Sequence, residues 1–155
     1  MRWPALLLLT LPIAAHAAPA QLVVSVASGA HETVTYRYPL EAVKQELDLR
    51  ESARYDVALK DKATGRDVCR EAQYKTGLLL TLRPLAANGS GSQSVEVVGQ
   101  VSELASLTDG AKLSCGTNQE ISLAHRAFSD TVVVEQNRSR AIVIDGQHTV
   151  ILKMQ

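Results

Sequence analysis

The sequence predicts a mainly β protein: a single antiparallel β-sandwich or partly open barrel with one short helix, held by a disulfide. Apolar and polar residues alternate with a period of two along most of the chain, and Val, Ile, Thr and Tyr dominate the alternating runs. Turn-forming pairs such as Asp145-Gly146 separate those runs. One cysteine pair, Cys69 and Cys115, is available for a cross-link.

The first 17 residues, MRWPALLLLTLPIAAHA, have the pattern of a signal peptide. Arg2 supplies the positive charge, and the 11-residue apolar run Ala5–Ala15 is too short to cross a bilayer as a stable anchor. Small residues precede the junction between Ala17 and Ala18, which we predict as the cleavage site. An uncleaved N-terminal anchor is the alternative. We therefore expect export to the periplasm and a single mainly-β domain over residues 18–155.

The charge balance excludes general electrostatic binding partners. Loss of Arg2 with the signal leaves 15 basic residues against 16 acidic ones. A near-neutral, mixed surface has no overall attraction to nucleic acid or to an anionic membrane. No later apolar stretch has the length of a membrane helix, so we expect no transmembrane span after signal removal. The partner that remains is another envelope protein, whose identity the sequence does not encode.

Cys69 and Cys115 are the only cysteines. An even pair in an exported chain predicts a disulfide. Neither residue belongs to a CxxC motif or to a His/Cys cluster, so a structural role is favoured over metal binding or nucleophilic chemistry. The closed loop is long, for which the chain-entropy model gives roughly 4 kcal/mol.

The alternating runs predict nine strands. In chain order they are Leu22–Ala27, Thr33–Tyr38, Tyr55–Lys60, Gly77–Arg83, Val95–Val101, Ile121–His125, Thr131–Glu135, Ala141–Ile144 and Thr149–Lys153. Turns are predicted between them at Ser28-Gly29, residues 62–65, residues 88–92, Asp109-Gly110, residues 137–139 and Asp145-Gly146.

One stretch departs from the strand pattern. Leu40, Val43 and Leu47 follow i, i+3, i+7 spacing, and Pro39 suits a first helical position. This predicts a short amphipathic helix over 39–47, with a strand boundary and polar loop as the alternative. A turn of helix at Val101–Leu107 is a second alternative to strand.

Residues 140–154, RAIVIDGQHTVILKM, predict a β-hairpin. Asp145-Gly146 suits the two positive-φ positions of a type I′ turn. A two-residue loop would pair Ile144 with Gln147 and Ile142 with Thr149. 

Both faces of this hairpin are substantially apolar, so its last strand needs a neighbour. Thr131–Glu135 is expected to join it in a three-stranded meander. The far side of Thr149–Lys153 either pairs with Leu22–Ala27, which we favour, or remains an edge for a partner.

The sequence contains no catalytic constellation. The histidines after the signal, His31, His125 and His148, are scattered and lack metal-ligand spacing, so we expect no cofactor and no metal. His148 is expected to face solvent. Ser129-Asp130 near His125 has the residue types of a triad, but no pattern marks an oriented base or an oxyanion hole. We predict that the protein is not an enzyme.

Four runs carry a family resemblance: TGLLLTLRP at 76–84, SVEVVGQVSEL at 94–104, FSDTVVV at 128–134 and AIVIDG at 141–146. In this order they resemble the conserved C-terminal module of bacterial secretins, the outer-membrane rings of type II and type III secretion and of type IV pilus systems. There a GxxLxVxP strand precedes a strand ending in VS and then a TxVxVxxGxxxVIGG hairpin.

The chain also departs from that module. Gly146 is followed by Gln147-His148 rather than by a second glycine, and Cys69 and Cys115 are additions. The length leaves no space for the ring-building domains of a secretin. The resemblance implies a non-catalytic accessory or interaction module of an envelope secretion or pilus system.

Two other classes stay open. One is a small disulfide-bonded periplasmic binding or inhibitor protein that uses the loop Ala86–Ser94. The other is an enzyme or metal carrier with a site assembled from distant strands.

Overall fold

A computed structural model describes residues 20–29, 32–40, 43–87 and 91–155, with the side chains of 86 and 87 excepted. The predicted cleavage site at Ala17 and Ala18, and His31, lie outside these ranges. The described chain contains eight strands and no helix. They are β1 (Gln21–Ser28), β2 (Val34–Pro39), β3 (Gln45–Lys60), β4 (Asp67–Ala87), β5 (Ser92–Leu113), β6 (Gly116–Glu135), β7 (Ser139–Ile144) and β8 (His148–Met154).

The strands form two four-stranded antiparallel sheets. The first sheet has the order β2-β1-β8-β7, and the second has the order β3-β4-β5-β6. All strand pairs within them are antiparallel. The predicted mainly-β, disulfide-linked fold is therefore confirmed.

A single apolar core lies between the sheets. Alternation places Val95 and Val97 of β5 inside, while Glu96 between them is not buried. Burying one such side chain stabilises the fold by about 1.5–3 kcal/mol. The largest fully buried side chains are Leu22, Leu78, Leu80, Leu82, Leu152, Val24, Val95, Val97, Val101, Val134 and Val150.

One close contact in this core depends on a missing side chain. Gly99 of β5 pairs with Phe128 of β6, and the Phe128 ring packs over the glycine. A Cβ at position 99 would overlap that ring and would lie 3.1 Å from the carbonyl oxygen of Leu79. Only glycine leaves this space for the ring.

The predicted helix over 39–47 is wrong. Pro39 ends β2, and β3 has begun by Gln45. Leu47 is buried opposite Leu80 of β4, because pairing gives this stretch both backbone partners and access to the core. Val101–Leu107 is strand as well, inside β5.

Several predicted strands are parts of longer ones. Ile121–His125 and Thr131–Glu135 both belong to β6. Asp109-Gly110 is not a turn but lies within β5, where the register with β6 shifts between Asp109 and Lys112. A bulge of this kind absorbs turn-forming residues without ending the strand.

The terminal hairpin exists, but its loop is one residue longer than predicted. Asp145 and Gly146 have φ values of 52° and 77°, as a type I′ turn requires. Ile144 pairs with His148 rather than with Gln147. The Asp145 carboxylate accepts hydrogen bonds from the backbone N–H groups of Gln147 and His148, each at 3.1 Å, and so holds Gln147 in the turn.

Of the two strands predicted to lie beside this hairpin, one does not pair with it and the other does. Thr131–Glu135 does not extend it, because β6 pairs with β5 in the second sheet. Just after β6, Gln136 forms an isolated parallel bridge with Met154 of β8. The preferred internal closure is confirmed, since β1 pairs with β8 from Leu22–Met154 to Ser28–His148.

Candidate functional site

The second sheet is much longer than the first, and its excess length forms an arm. Pairing of β4 with β5 stops at Gly77 and Ser102. Beyond that point β3 pairs with β4 over residues 50–77, and β5 pairs with β6 over residues 102–125. We call these the first and second arm hairpins, and together the arm.

Gly77 marks the base of the arm. Its φ is +117°, and a Cβ there would lie 2.9 Å from the carbonyl oxygen of Leu49, so no other residue fits without a shift. Its partner in β5 is Ser102.

A disulfide joins the two arm hairpins near their tips. Cys69 of β4 is bonded to Cys115, with a Cα–Cα distance of 5.9 Å, and both residues are exposed. This confirms the predicted pair. Beside it, Asp67 accepts hydrogen bonds from the hydroxyl of Ser114 at 2.7 Å and from its backbone N–H at 3.0 Å. These bonds hold the pKa of Asp67 below its usual range.

The second arm hairpin also covers the outer edge of β3. The backbone N–H of Asp56 donates to Oε1 of Gln119 at 2.9 Å, and that of Ala58 donates to Oδ1 of Asn118 at 3.1 Å. Alternate N–H groups of an edge strand point away from its partner strand. Two side-chain amides thus occupy donors that a neighbouring strand would otherwise bind.

Many side chains of the arm are exposed to solvent. Every residue of β5 from 104 to 112 is exposed, including Leu104 and Leu107. Leu59 and Val68 of the first arm hairpin are also exposed. Scattered exposed apolar residues are ordinary on a protein surface. Four of them on the arm, however, provide apolar surface that can contact another protein.

Charged groups tie the base of the arm to the sandwich. Asp48 accepts hydrogen bonds from Nε of Arg50 at 2.7 Å and from Nζ of Lys75 at 3.0 Å. These two contacts lower the pKa of Asp48 well below its usual range. The carboxylate therefore stays ionised and links β3 to β4 just outside the core.

Two clefts of about 370 and 420 Å³ open at the base of the arm and share Ser28, Thr76, Gly77 and His148. His148 is buried rather than solvent-facing, and its Nδ1 lies 3.1 Å from Oδ1 of Asp145. Burial alone would raise the pKa of Asp145. The hydrogen bonds from His148 and from the turn backbone outweigh it and lower that pKa.

A serine–histidine contact lies nearby that the sequence did not indicate. Oγ of Ser102 is 2.9 Å from Nδ1 of His125, its partner across β5 and β6. Asp130, which follows His125 by five residues in the sequence, instead accepts a hydrogen bond from the backbone N–H of Thr131. No carboxylate in the described ranges hydrogen-bonds His125, so the contact lacks the third group of a triad.

The remaining sequence predictions concern metals and membranes. Within the described residues, no three His, Cys, Asp or Glu side chains come together as a metal site. The same residues include no helix of the length and apolarity needed to span a bilayer. No family model matches this chain, and no curated protein or solved structure matches it either.

Proposed function

We propose that this chain is an exported, non-catalytic β-domain of the periplasm that acts as an accessory or interaction module of an envelope secretion or pilus system. The arm is the observation that carries the proposal. Its strands extend past the core that the two sheets share, and much of its surface is exposed. An element that buries little apolar area contributes little to stability, which favours a role in contact with another protein.

The secretin resemblance supports the same class of function. Its four runs fall on β4, β5, β6 and β7 in order. Its first two motifs meet at Gly77 and Ser102, where the arm begins. The secretin module has no catalytic residue to transfer, so the proposal assigns none to this chain.

The disulfide supports export. Cys69 and Cys115 are exposed and bonded to each other. Disulfides form in the oxidising periplasm and are rare in the reducing cytosol. The proposed location is therefore a compartment in which the Cys69–Cys115 bond can form.

Site-specific photo-cross-linking in the source organism tests the proposal. A photoreactive amino acid replaces Leu107 on the arm, and a matched variant carries it at Val143 of β7, which is also exposed. We expect the position 107 probe to form adducts with a component of an export or pilus assembly, and the position 143 probe not to form them. Equal adducts from both positions, or none from position 107, would contradict an arm-mediated interaction.

The inhibitor alternative gains support from a second feature. The tip between β3 and β4 is an exposed turn, in which Asp61 accepts hydrogen bonds from the backbone N–H groups of Ala63 at 2.7 Å and Thr64 at 3.2 Å. The loop that the sequence predicts for this role, Ala86–Ser94, lies only partly in the described ranges. Adducts at position 107 with one soluble enzyme in a one-to-one complex would favour inhibition over assembly.

A further inference from the structure

We propose that the Cys69–Cys115 disulfide is a thiol-exchange site for a dithiol reductant, and that its reduction uncovers the outer edge of β3. The inference goes beyond the proposed function, because it concerns the isolated protein and is tested without a partner. It rests on the accessibility of the two sulfur atoms, on how the arm hairpins are held together, and on what they cover.

The disulfide is open to attack. Both cysteines are exposed, and they line a cleft of about 270 Å³ together with Val57, Arg70 and Gly116. A Cβ at Gly116 would lie 3.3 Å from Sγ of Cys69, so the glycine leaves that side of the sulfur clear. Asp56 and Arg70 line the same cleft and bring charges of both signs to it. Exposed disulfides are the reducible ones.

The same bond holds the arm hairpins together. Main-chain pairing between β4 and β5 ends at Gly77 and Ser102, at the base of the arm. Cys69 and Cys115 lie near the opposite end of the arm hairpins, at their tips. Near the tips, the hydrogen bonds between the two arm hairpins within the described ranges run from Ser114 to Asp67 and from the β3 edge to Asn118 and Gln119. Most of these lie in contact with water, which competes for them. Without the disulfide, the second arm hairpin is free to separate.

Separation changes the edge of β3. The N–H groups of Asp56 and Ala58 donate to Gln119 and Asn118, two residues of the second arm hairpin. When that hairpin moves away, both donors face solvent on an edge strand. Such an edge accepts another strand by main-chain pairing. The disulfide therefore controls whether this part of β3 is covered.

The chemistry is ordinary thiol–disulfide exchange and balances within itself. A thiolate of the reductant attacks one Sγ, the Cys69–Cys115 bond breaks, and the other cysteine leaves as a thiolate that takes a proton. The second thiolate of the reductant then attacks the reductant's own sulfur in the mixed disulfide, which breaks the bond between protein and reductant and releases the second cysteine as a thiolate that takes a proton. The protein gains two electrons and two protons, and the reductant becomes its intramolecular disulfide.

Hydrogen exchange on the whole protein tests the proposal. The oxidised chain is compared with the chain reduced by dithiothreitol without denaturant, and exchange is followed at Asp56, Ala58 and the core residue Leu80. We expect exchange at Asp56 and Ala58 to accelerate about tenfold or more on reduction, with Leu80 unchanged.

Two variants sharpen the experiment. Asn118→Ala with Gln119→Ala removes the covering amides but keeps the disulfide, and should accelerate the same two amides without reductant. Cys69→Ser with Cys115→Ser should resemble the reduced chain, and if it fails to fold, the reduced wild type supplies the result. The proposal is overturned if Asp56 and Ala58 stay equally protected after reduction, or if the disulfide is reduced only when Leu80 also loses protection.

Discussion

Gly99→Ala is a direct test of the packing between β5 and β6. The new Cβ would overlap the ring of Phe128, its cross-strand partner, and approach the carbonyl oxygen of Leu79 to 3.1 Å. The ring belongs to the periphery of the core, so it can rotate, whereas the Leu79 oxygen is main chain. The substitution therefore forces the aromatic side chain out of its position.

The magnitude follows from two opposing terms. Overpacking of this kind costs about 1–3 kcal/mol. Replacing glycine in a strand recovers about 0.5–1 kcal/mol of chain entropy. We expect a net loss between about 0 and 2.5 kcal/mol, centred near 1 kcal/mol, for Gly99→Ala in the wild-type background. With Phe128→Ala already present the overlap is absent, so the same substitution should be nearly neutral or slightly stabilising.

Urea denaturation of the four proteins in this double-mutant cycle measures the effect. The expected coupling between positions 99 and 128 is about 1–3 kcal/mol. Equal costs of Gly99→Ala in both backgrounds would show that the ring is not what excludes a side chain, and would refute the reasoning.

Three further outcomes are expected. Cys69→Ser with Cys115→Ser should lower the free energy of unfolding by about 2–4 kcal/mol at equilibrium, and the oxidised wild type should contain no free thiol on titration; two reactive thiols would contradict the bond. Asp145 has a lowered pKa, so its stabilising contribution is present above the unfolded value of about 4 and is lost as pH falls below it. The cost of Asp145→Asn in urea melts should therefore shrink below about pH 4, and a cost that is constant with pH would count against the interaction with His148. Finally, the amides of 149–153 should exchange slowly in dilute monomer because β8 lies between β1 and β7; fast exchange there would contradict the strand order.

The alternation of apolar and polar residues was sufficient to predict a strand where one face of that strand is buried and the other is not. Leu78, Leu80 and Leu82 alternate cleanly because the second sheet turns one face to the core there. In residues 50–76 one face is exposed and the other is mostly only half-buried, so the contrast between the two faces weakens and the full length of β3 and β4 could not be predicted. The arm was missed for that reason.

The helix prediction failed through a coincidence of spacing. Leu40, Val43 and Leu47 fit a helical period, but Leu47 belongs to a strand that pairs with residues more than thirty positions away. Long-range pairing of that kind overrides local preference. The same limit applies to Ser102 and His125, whose contact depends on the register of β5 against β6 and on no local motif.

The position of β8 has a consequence for the order of folding. It lies between β1 and β7, and its partner β1 is more than a hundred residues earlier in the chain. β3 to β6 are joined by successive hairpins and can form from local contacts as soon as they emerge. β1 and β2 must wait for His148–Met154 before the first sheet is complete, and Leu22 and Val24 stay unburied until then. A chain that has formed the second sheet but has not yet paired β8 with β1 would therefore expose the apolar face of that sheet, which is the kind of surface that chaperones bind.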